Sequence, residues 1–125
     1  MQILKLIILS LLCITAFAFN GGPISEQVMS KAERKYGGSI VSRYLKYNTL
    51  LNKIEHMTNR GKIKTINDFF NKIPFSDDKQ NWKQEDYWAT PLELLARNKG
   101  DSEDYVIAKY FALKTAGIDL SLIHI

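Results

Sequence analysis

Thiol groups are almost absent from this chain of 125 residues, which contains a single cysteine, Cys13. Cys13 lies in an N-terminal segment with the features of a cleaved secretory signal, so we expect the mature chain to have no thiol. Without thiols, the mature chain forms neither disulfides nor zinc-thiolate sites, and it has no cysteine nucleophile. Folding must therefore depend on side-chain packing, with or without a bound ion.

The sequence also contains no apolar run of comfortable membrane-spanning length, which is ~20 residues. Its apolar run covers residues 6–19 and follows one positive charge, Lys5. The Ala-Phe-Ala sequence that ends at Ala18 supplies the small side chains that a signal peptidase requires. We predict a signal peptide over residues 1–18, export to the periplasm, and one domain over residues 19–125. An uncleaved N-terminal anchor is the alternative.

Net charge is also small, at a formal +4, and does not by itself require a nucleic-acid partner. Apolar residues make up 46% and charged residues 24%, which is typical of a globular protein and excludes disordered and collagen-like chains. Residues 31–64 contain nine Lys and Arg but two Glu, whereas residues 68–104 are rich in Asp and Glu. We interpret the basic stretch as the solvated faces of two helices and expect no nucleic-acid partner.

Apolar periodicity and capping residues predict five helices followed by one strand. In the second helix, one apolar face is formed by Ile40, Tyr44, Tyr47, Leu51 and Ile54. Asn59-Arg60-Gly61 is expected to end that helix, and Ser25, Ser39 and Thr90 are expected to cap three of the helices. The fifth helix is capped by Asp101 or Ser102. The predicted helices begin near residues 25, 39, 62, 90 and 101, and the strand covers residues 120–125.

The predicted strand, Leu120 to Ile125, has no partner strand elsewhere in the sequence. An unpaired apolar strand leaves its backbone groups without hydrogen bonds and exposes an edge that favours aggregation. We therefore expect an α+β fold class, in which a mostly helical lobe is followed by the first strand of an incomplete sheet. Another chain or a longer fold would complete that sheet.

Ser102 is the candidate nucleophile, because it is predicted to lie at a helix N-terminus. Exposed N–H groups and the helix dipole stabilise an anion there. An ordinary N-cap is the alternative interpretation. A serine nucleophile also needs a base. We expect His56 to lie on the surface of a basic helix and His124 to be structural, and neither can be placed beside Ser102 from the sequence.

Carboxylates surround Ser102 in the sequence, at Asp101, Glu103 and Asp104. Calcium favours such oxygen ligands but needs six to eight of them. Acidic side chains at a helix start also simply complement the dipole, so both interpretations stay open. Three aromatic side chains upstream, those of Trp82, Tyr87 and Trp88, are interpreted as packing residues.

Three ordered segments carry a family resemblance. They are Ile66-Asn67-Asp68-Phe69-Phe70-Asn71-Lys72-Ile73, Asp86-Tyr87-Trp88-Ala89-Thr90-Pro91-Leu92-Glu93, and Gly100-Asp101-Ser102-Glu103-Asp104-Tyr105 with Ala108-Lys109-Tyr110-Phe111. From about Tyr36 onward, the chain resembles the bacterial transglutaminase-like cysteine proteinases, that is, the LapG-like periplasmic proteases.

The resemblance implies a papain-like fold, in which a helical N-terminal lobe carries the nucleophile at the start of a central helix. A following sheet provides a histidine and then an acid. The family cleaves large surface adhesins in a calcium-dependent reaction and so releases biofilm cells. A cyclic-dinucleotide receptor in the inner membrane is the implied partner. Asp101 and Glu103 match the family's calcium-ligand positions.

Two departures from the family pattern bear on activity. Ser102 stands where the family has cysteine, and the chain ends in the strand that precedes the family's histidine, so His124 falls too early. Loss of a nucleophile or base typically lowers turnover by about a millionfold. We therefore expect the chain as written not to hydrolyse peptides. The alternatives are a non-catalytic periplasmic binding module or pseudoenzyme fragment, and a secreted helical protein whose motifs serve packing alone.

Overall fold

A computed structural model describes residues 21–77, 90–119 and 121. The described residues form five α-helices, with one isolated parallel bridge between Phe75 and Gly100. The helices are α1 (Glu26–Tyr36), α2 (Ser39–Ile54), α3 (Asn59–Asn71), α4 (Pro91–Arg97) and α5 (Ser102–Thr115).

Local capping chemistry sets most of the helix starts. The Ser25 hydroxyl accepts a hydrogen bond from the Val28 N–H at the start of α1, as predicted. Thr90 caps α4 within a reciprocal capping box that includes Glu93, and Pro91 is the first helical residue. The prediction for α2 was wrong, since Gly38 is the N-cap and no side chain caps that helix.

The boundary between α2 and α3 also differs from the prediction. The second helix ends at Ile54, and Asn59-Arg60-Gly61 forms the first turn of α3 instead of ending α2. The N-cap of α3 is Thr58, whose hydroxyl accepts a hydrogen bond from the Gly61 N–H at 3.2 Å. A capping threonine stabilises a helix start and thereby overrides the stop signal that a glycine provides.

The core lies around α2, which packs against α1, α3 and α4, while α5 packs against α3 and α4. The predicted apolar face of α2 is confirmed, except that Leu50 is buried and Leu51 is only partly buried. Tyr47 and Phe70 lie fully inside, and the Tyr47 hydroxyl donates to the Gly21 carbonyl oxygen. This bond ties the segment before α1 to the helical core.

The expected α+β class is supported in its helical part. The predicted strand over residues 120–125 lies outside the described residues, apart from Ser121. Among the helices described above, none is both long and apolar enough to cross a membrane.

Candidate functional site

The candidate site is the start of α5, which a short bridge holds against the segment that follows α3. The Ser76 N–H donates to the Gly100 carbonyl at 2.8 Å, and the Gly100 N–H donates to the Pro74 carbonyl at 3.1 Å. Gly100 is buried, and a Cβ at this position would lie 2.5 Å from Leu94 Cδ1 and 3.0 Å from Asp104 Cβ. Only glycine fits without displacement, so the approach to the first turn of α5 is sterically fixed.

Two aspartates form a reciprocal capping box over this first turn. Asp101 Oδ1 accepts the Asp104 N–H, and Asp104 Oδ2 accepts the Asp101 N–H, both at 3.1 Å. Both side chains are buried, Asp104 being only 1% exposed. The two bonds satisfy N–H groups that a helix start otherwise leaves without partners. Of the two capping residues predicted from sequence, Asp101 is therefore the N-cap.

Ser102 is the first residue of α5 and is exposed. Its hydroxyl makes no hydrogen bond to any residue in the part of the chain that the structure describes. The N–H groups of Ser102 and Glu103 belong to the first helical turn, so they have no intrahelical acceptor. The site thus presents a hydroxyl and two backbone donors at the positive end of a helix.

Tyr105 links this turn to the segment that follows α3. Its hydroxyl donates to the Ile73 carbonyl oxygen. Burial raises the pKa of the Tyr105 phenol, and the carboxylates of Asp104 and Asp101 raise it further. The phenol therefore stays protonated and keeps donating throughout the physiological range.

The two expected calcium ligands lie on either side of Ser102 in different environments. Asp101 is 9% exposed and caps the helix, whereas Glu103 is exposed. Across residues 21–77, 90–119 and 121, no group of three or more His, Cys, Asp and Glu side chains is arranged to hold a metal ion.

The other candidate residues are not brought to Ser102. His56 is exposed, as expected, but it lies in the turn after α2 and not on a helix. His124 and the aromatic residues Trp82, Tyr87 and Trp88 lie outside the described residues. A base for Ser102 is thus absent from the part of the chain described here.

Two structural roles were missed at the level of sequence, namely the capping role of Asp104 and the anchoring of α4 by Arg43. Asp104 forms half of the capping box, and an acidic residue three positions after an N-cap is a signal that could have identified it. Arg43 donates from Nε to the Leu95 carbonyl and from Nη2 to the Ala96 carbonyl, both at 2.6 Å. These bonds join α2 to the end of α4, and no local pattern marks them, because the partners are more than 50 residues apart.

Comparison with known proteins gave matches among solved structures, whereas no family model and no curated protein matched. LapG from Legionella pneumophila is similar at 28% identity and a TM-score of 0.63, over 80% of this chain and 56% of that chain. The EGTA-treated form of that protein gives the same identity and TM-score, over 80% and 54% of the two chains. Its calcium-bound form gives 28% identity and a TM-score of 0.62, over 78% and 54%.

This similarity defines the class of fold. The helices described here have the architecture of a transglutaminase-like protease. More particularly, the fold is LapG-like. The chain spans about half the length of the LapG structures that it matches.

Proposed function

We propose that this protein is a LapG-like protease relative in which α5 is the nucleophile-bearing helix and Ser102 occupies the nucleophile position. The observation that carries this proposal is the exposed Ser102 side chain at the first residue of α5, directly after the buried Gly100-Asp101 pair. The LapG-like fold supports it, because the nucleophile-bearing helix is part of that fold by resemblance.

The geometry suits stabilisation of an oxyanion. The N–H groups of Ser102 and Glu103 and the dipole of α5 favour negative charge in front of the helix. The buried capping box of Asp101 and Asp104 holds these donors in place without occupying them. A carbonyl oxygen that gained charge during acyl transfer would be stabilised at this position.

A serine at the nucleophile position of such a site is poorly reactive. A cysteine would react as a thiolate, which a helix N-terminus and an imidazolium stabilise, but a serine hydroxyl ionises far too weakly for this route. Ser102 has no hydrogen-bonded base among the described residues. We therefore propose that peptide hydrolysis does not occur with serine at this position.

Calcium is part of the proposal through the calcium-bound LapG that the chain resembles. Carboxylate oxygens of Asp101 and Glu103 are the hard ligands that calcium prefers, so these two residues fit part of a coordination sphere. Bound calcium would neutralise the acidic charge beside Ser102. Asp101 and Asp104 would keep the turn in place through the capping box.

A second candidate function is non-catalytic binding in the periplasm after removal of residues 1–18. Serine at the nucleophile position favours this function, because it leaves the helical fold intact and removes the thiol. The protein would then bind the family's adhesin or its cyclic-dinucleotide receptor without cleaving it. Binding of the purified protein to either partner in the presence of calcium tests this function, and absence of binding to both contradicts it.

Activity is tested with an N-terminal adhesin fragment in calcium. The 125-residue chain and its Ser102→Cys variant are expected to leave the fragment intact, because His56 lies in the turn after α2 and, by resemblance, His124 precedes the family's histidine position. A protein that joins the chain to the remaining portion of LapG is expected to cleave the fragment with Ser102→Cys and not with serine. Equal cleavage by both joined proteins would contradict the assignment of Ser102.

A further inference from the structure

A groove with a basic rim runs between α2, α3 and the end of α4, and it encloses about 840 Å³. We call it the basic groove. Its described lining includes four cationic and four hydroxyl side chains above an apolar floor. The lining residues that matter here are Ser42, Arg43, Lys46, Lys53, Phe69 and Lys72.

The groove follows a single stripe of α2. Its lining residues on this helix recur at three- and four-residue steps from Ser39 to Lys53. At 1.5 Å per residue this stripe is about 21 Å long. An extended peptide rises about 3.3 Å per residue, so the groove matches roughly six residues of one.

The charges of the groove are nearly all positive. Lys46 and Lys53 are exposed and form no ion pair or hydrogen bond with any other residue in the described ranges. The one carboxylate, that of Asp68, is already bonded to Lys64 Nζ at 2.7 Å, and this bond lowers the pKa of Asp68. Arg43 is held by its two carbonyl acceptors on α4 and keeps its charge at the rim. Lys46 and Lys53 are thus cations without an anionic partner among the residues described, whereas Lys72 lies close enough to Asp68 to help lower the pKa of that carboxyl.

The floor of the groove favours a peptide over other polyanions. Leu50 and Leu95 are buried beneath the rim and Phe69 is partly buried, so the floor is apolar and its described residues include a single, partly covered ring, whereas single-stranded nucleic acids stack on successive aromatic side chains. The lysines are spread along the stripe and do not converge on one point, as a phosphate site would require. Separated cations above an apolar floor complement a peptide that alternates acidic and apolar side chains.

We propose that the basic groove binds an extended acidic segment of a partner protein, about six residues long. Acidic side chains of the segment pair with Lys46 and Lys53, while apolar side chains of the segment rest on the partly buried Phe69 of the floor. This inference concerns a surface separate from the start of α5 and does not depend on the proposed function of Ser102.

The probe is a rhodamine-labelled seven-residue peptide of alternating glutamate and leucine, titrated with the 125-residue chain and followed by fluorescence anisotropy. A peptide with glutamine in place of every glutamate is the matched ligand control. We expect saturable binding of the glutamate peptide, weakening as salt rises, and at least tenfold weaker binding of the glutamine peptide. Failure of the glutamate peptide to bind would overturn the proposal, as would tighter binding of a DNA duplex of equal charge.

Paired variants locate the binding surface. The double variant Lys46→Glu with Lys53→Glu is expected to weaken peptide binding at least tenfold. The control double variant Lys31→Glu with Lys114→Glu changes the net charge equally at exposed helix positions outside the groove, and should alter binding less than twofold. Equal weakening by both pairs would refute the proposal, because it would show attraction to the whole protein and not to the groove.

A bulky, uncharged substitution tests whether the shape of the groove, and not only its charge, determines peptide binding. Ser42 is exposed on the groove wall, so Ser42→Trp is expected to fill part of the groove and weaken binding several-fold at unchanged net charge. The urea unfolding midpoint of each variant serves as the folding control. Wild-type peptide affinity in a folded Ser42→Trp variant would contradict the proposed location.

Discussion

Gly100→Ala tests whether the start of α5 is fixed by close packing. A Cβ at this position would lie 2.5 Å from Leu94 Cδ1, 3.0 Å from Asp104 Cβ and 3.1 Å from Asp104 Oδ2. Leu94 and Asp104 are almost completely buried, so neither side chain can move into solvent. The methyl group must therefore displace either the end of α4 or the capping box.

The expected cost follows from the overpacking of well-packed cores, which is about 1–3 kcal/mol. Replacing glycine also restricts the unfolded chain, which offsets this cost by about 0.4–1 kcal/mol. We expect a net loss of about 1 kcal/mol in the free energy of unfolding. For a domain of this size, that loss corresponds to a fall in Tm of about 4–8 °C.

The assay is thermal and urea unfolding followed by circular dichroism, with Gly61→Ala as the matched control. Gly61 lies in the first turn of α3, and a Cβ there would meet its nearest neighbours at an ordinary 3.4 Å. The control should therefore keep or slightly raise the stability, because alanine favours helix over glycine. A Gly100→Ala variant as stable as wild type would refute the packing of α4 against the start of α5.

Two further predictions concern α2. Arg43→Lys removes the pair of hydrogen bonds to the end of α4 and should lower the free energy of unfolding by about 1–2 kcal/mol, measured by urea unfolding. The control variant Arg60→Lys, on the exposed first turn of α3, should change the free energy of unfolding little. Burial raises the pKa of Tyr44 to about 12, above the value of 10.0 that applies when the chain is unfolded. The stabilisation that the protonated Tyr44 phenol provides is therefore complete below pH 10 and is lost as the pH rises through 12. Tyr44→Phe should flatten the fall in stability between pH 10 and 12, and an unchanged fall would contradict this assignment.

Helix positions were predictable where a local signal agreed with the packing. Ser25 and Thr90 are capping residues with hydroxyl acceptors, and both begin helices as expected. Asn59-Arg60-Gly61 misled the prediction because glycine indicates a helix end, while Thr58 one residue earlier provides a stronger start. Helices in proteins are stabilised mainly by tertiary packing, and α3 buries Ile66 and Phe70 against the rest of the core.

The position of the candidate site in the chain was predictable, but the hydrogen bonds that hold it in place were not. The sequence places Ser102 at a helix start, since an acidic turn follows a glycine. The bonds of Gly100 to Pro74 and Ser76 join segments that are distant in the chain, so no local pattern reveals them. The same holds for Arg43, which the charge pattern assigned to a solvated face although it anchors α4.

For the basic stretch, residues 31–64, the exposure of the lysines was predictable but the groove between the helices was not. Its charge predicted solvated helix faces, and Lys46 and Lys53 are indeed exposed. The concave space between α2 and α3 depends on the angle at which two helices pack, which the charge sequence does not contain.

The most direct test of the central claim is the reactivity of a thiol placed at position 102. In a Cys13→Ser background, the rate at which iodoacetamide alkylates Ser102→Cys is compared with the rates for Val106→Cys and Ala112→Cys. Val106 is exposed one turn later on α5, and Ala112 is fully buried on the same helix. We expect the thiol at position 102 to react at least as fast as the thiol at position 106, and the thiol at position 112 to be protected. Protection at position 102 equal to that at position 112 would show that the start of α5 is not an accessible nucleophile position.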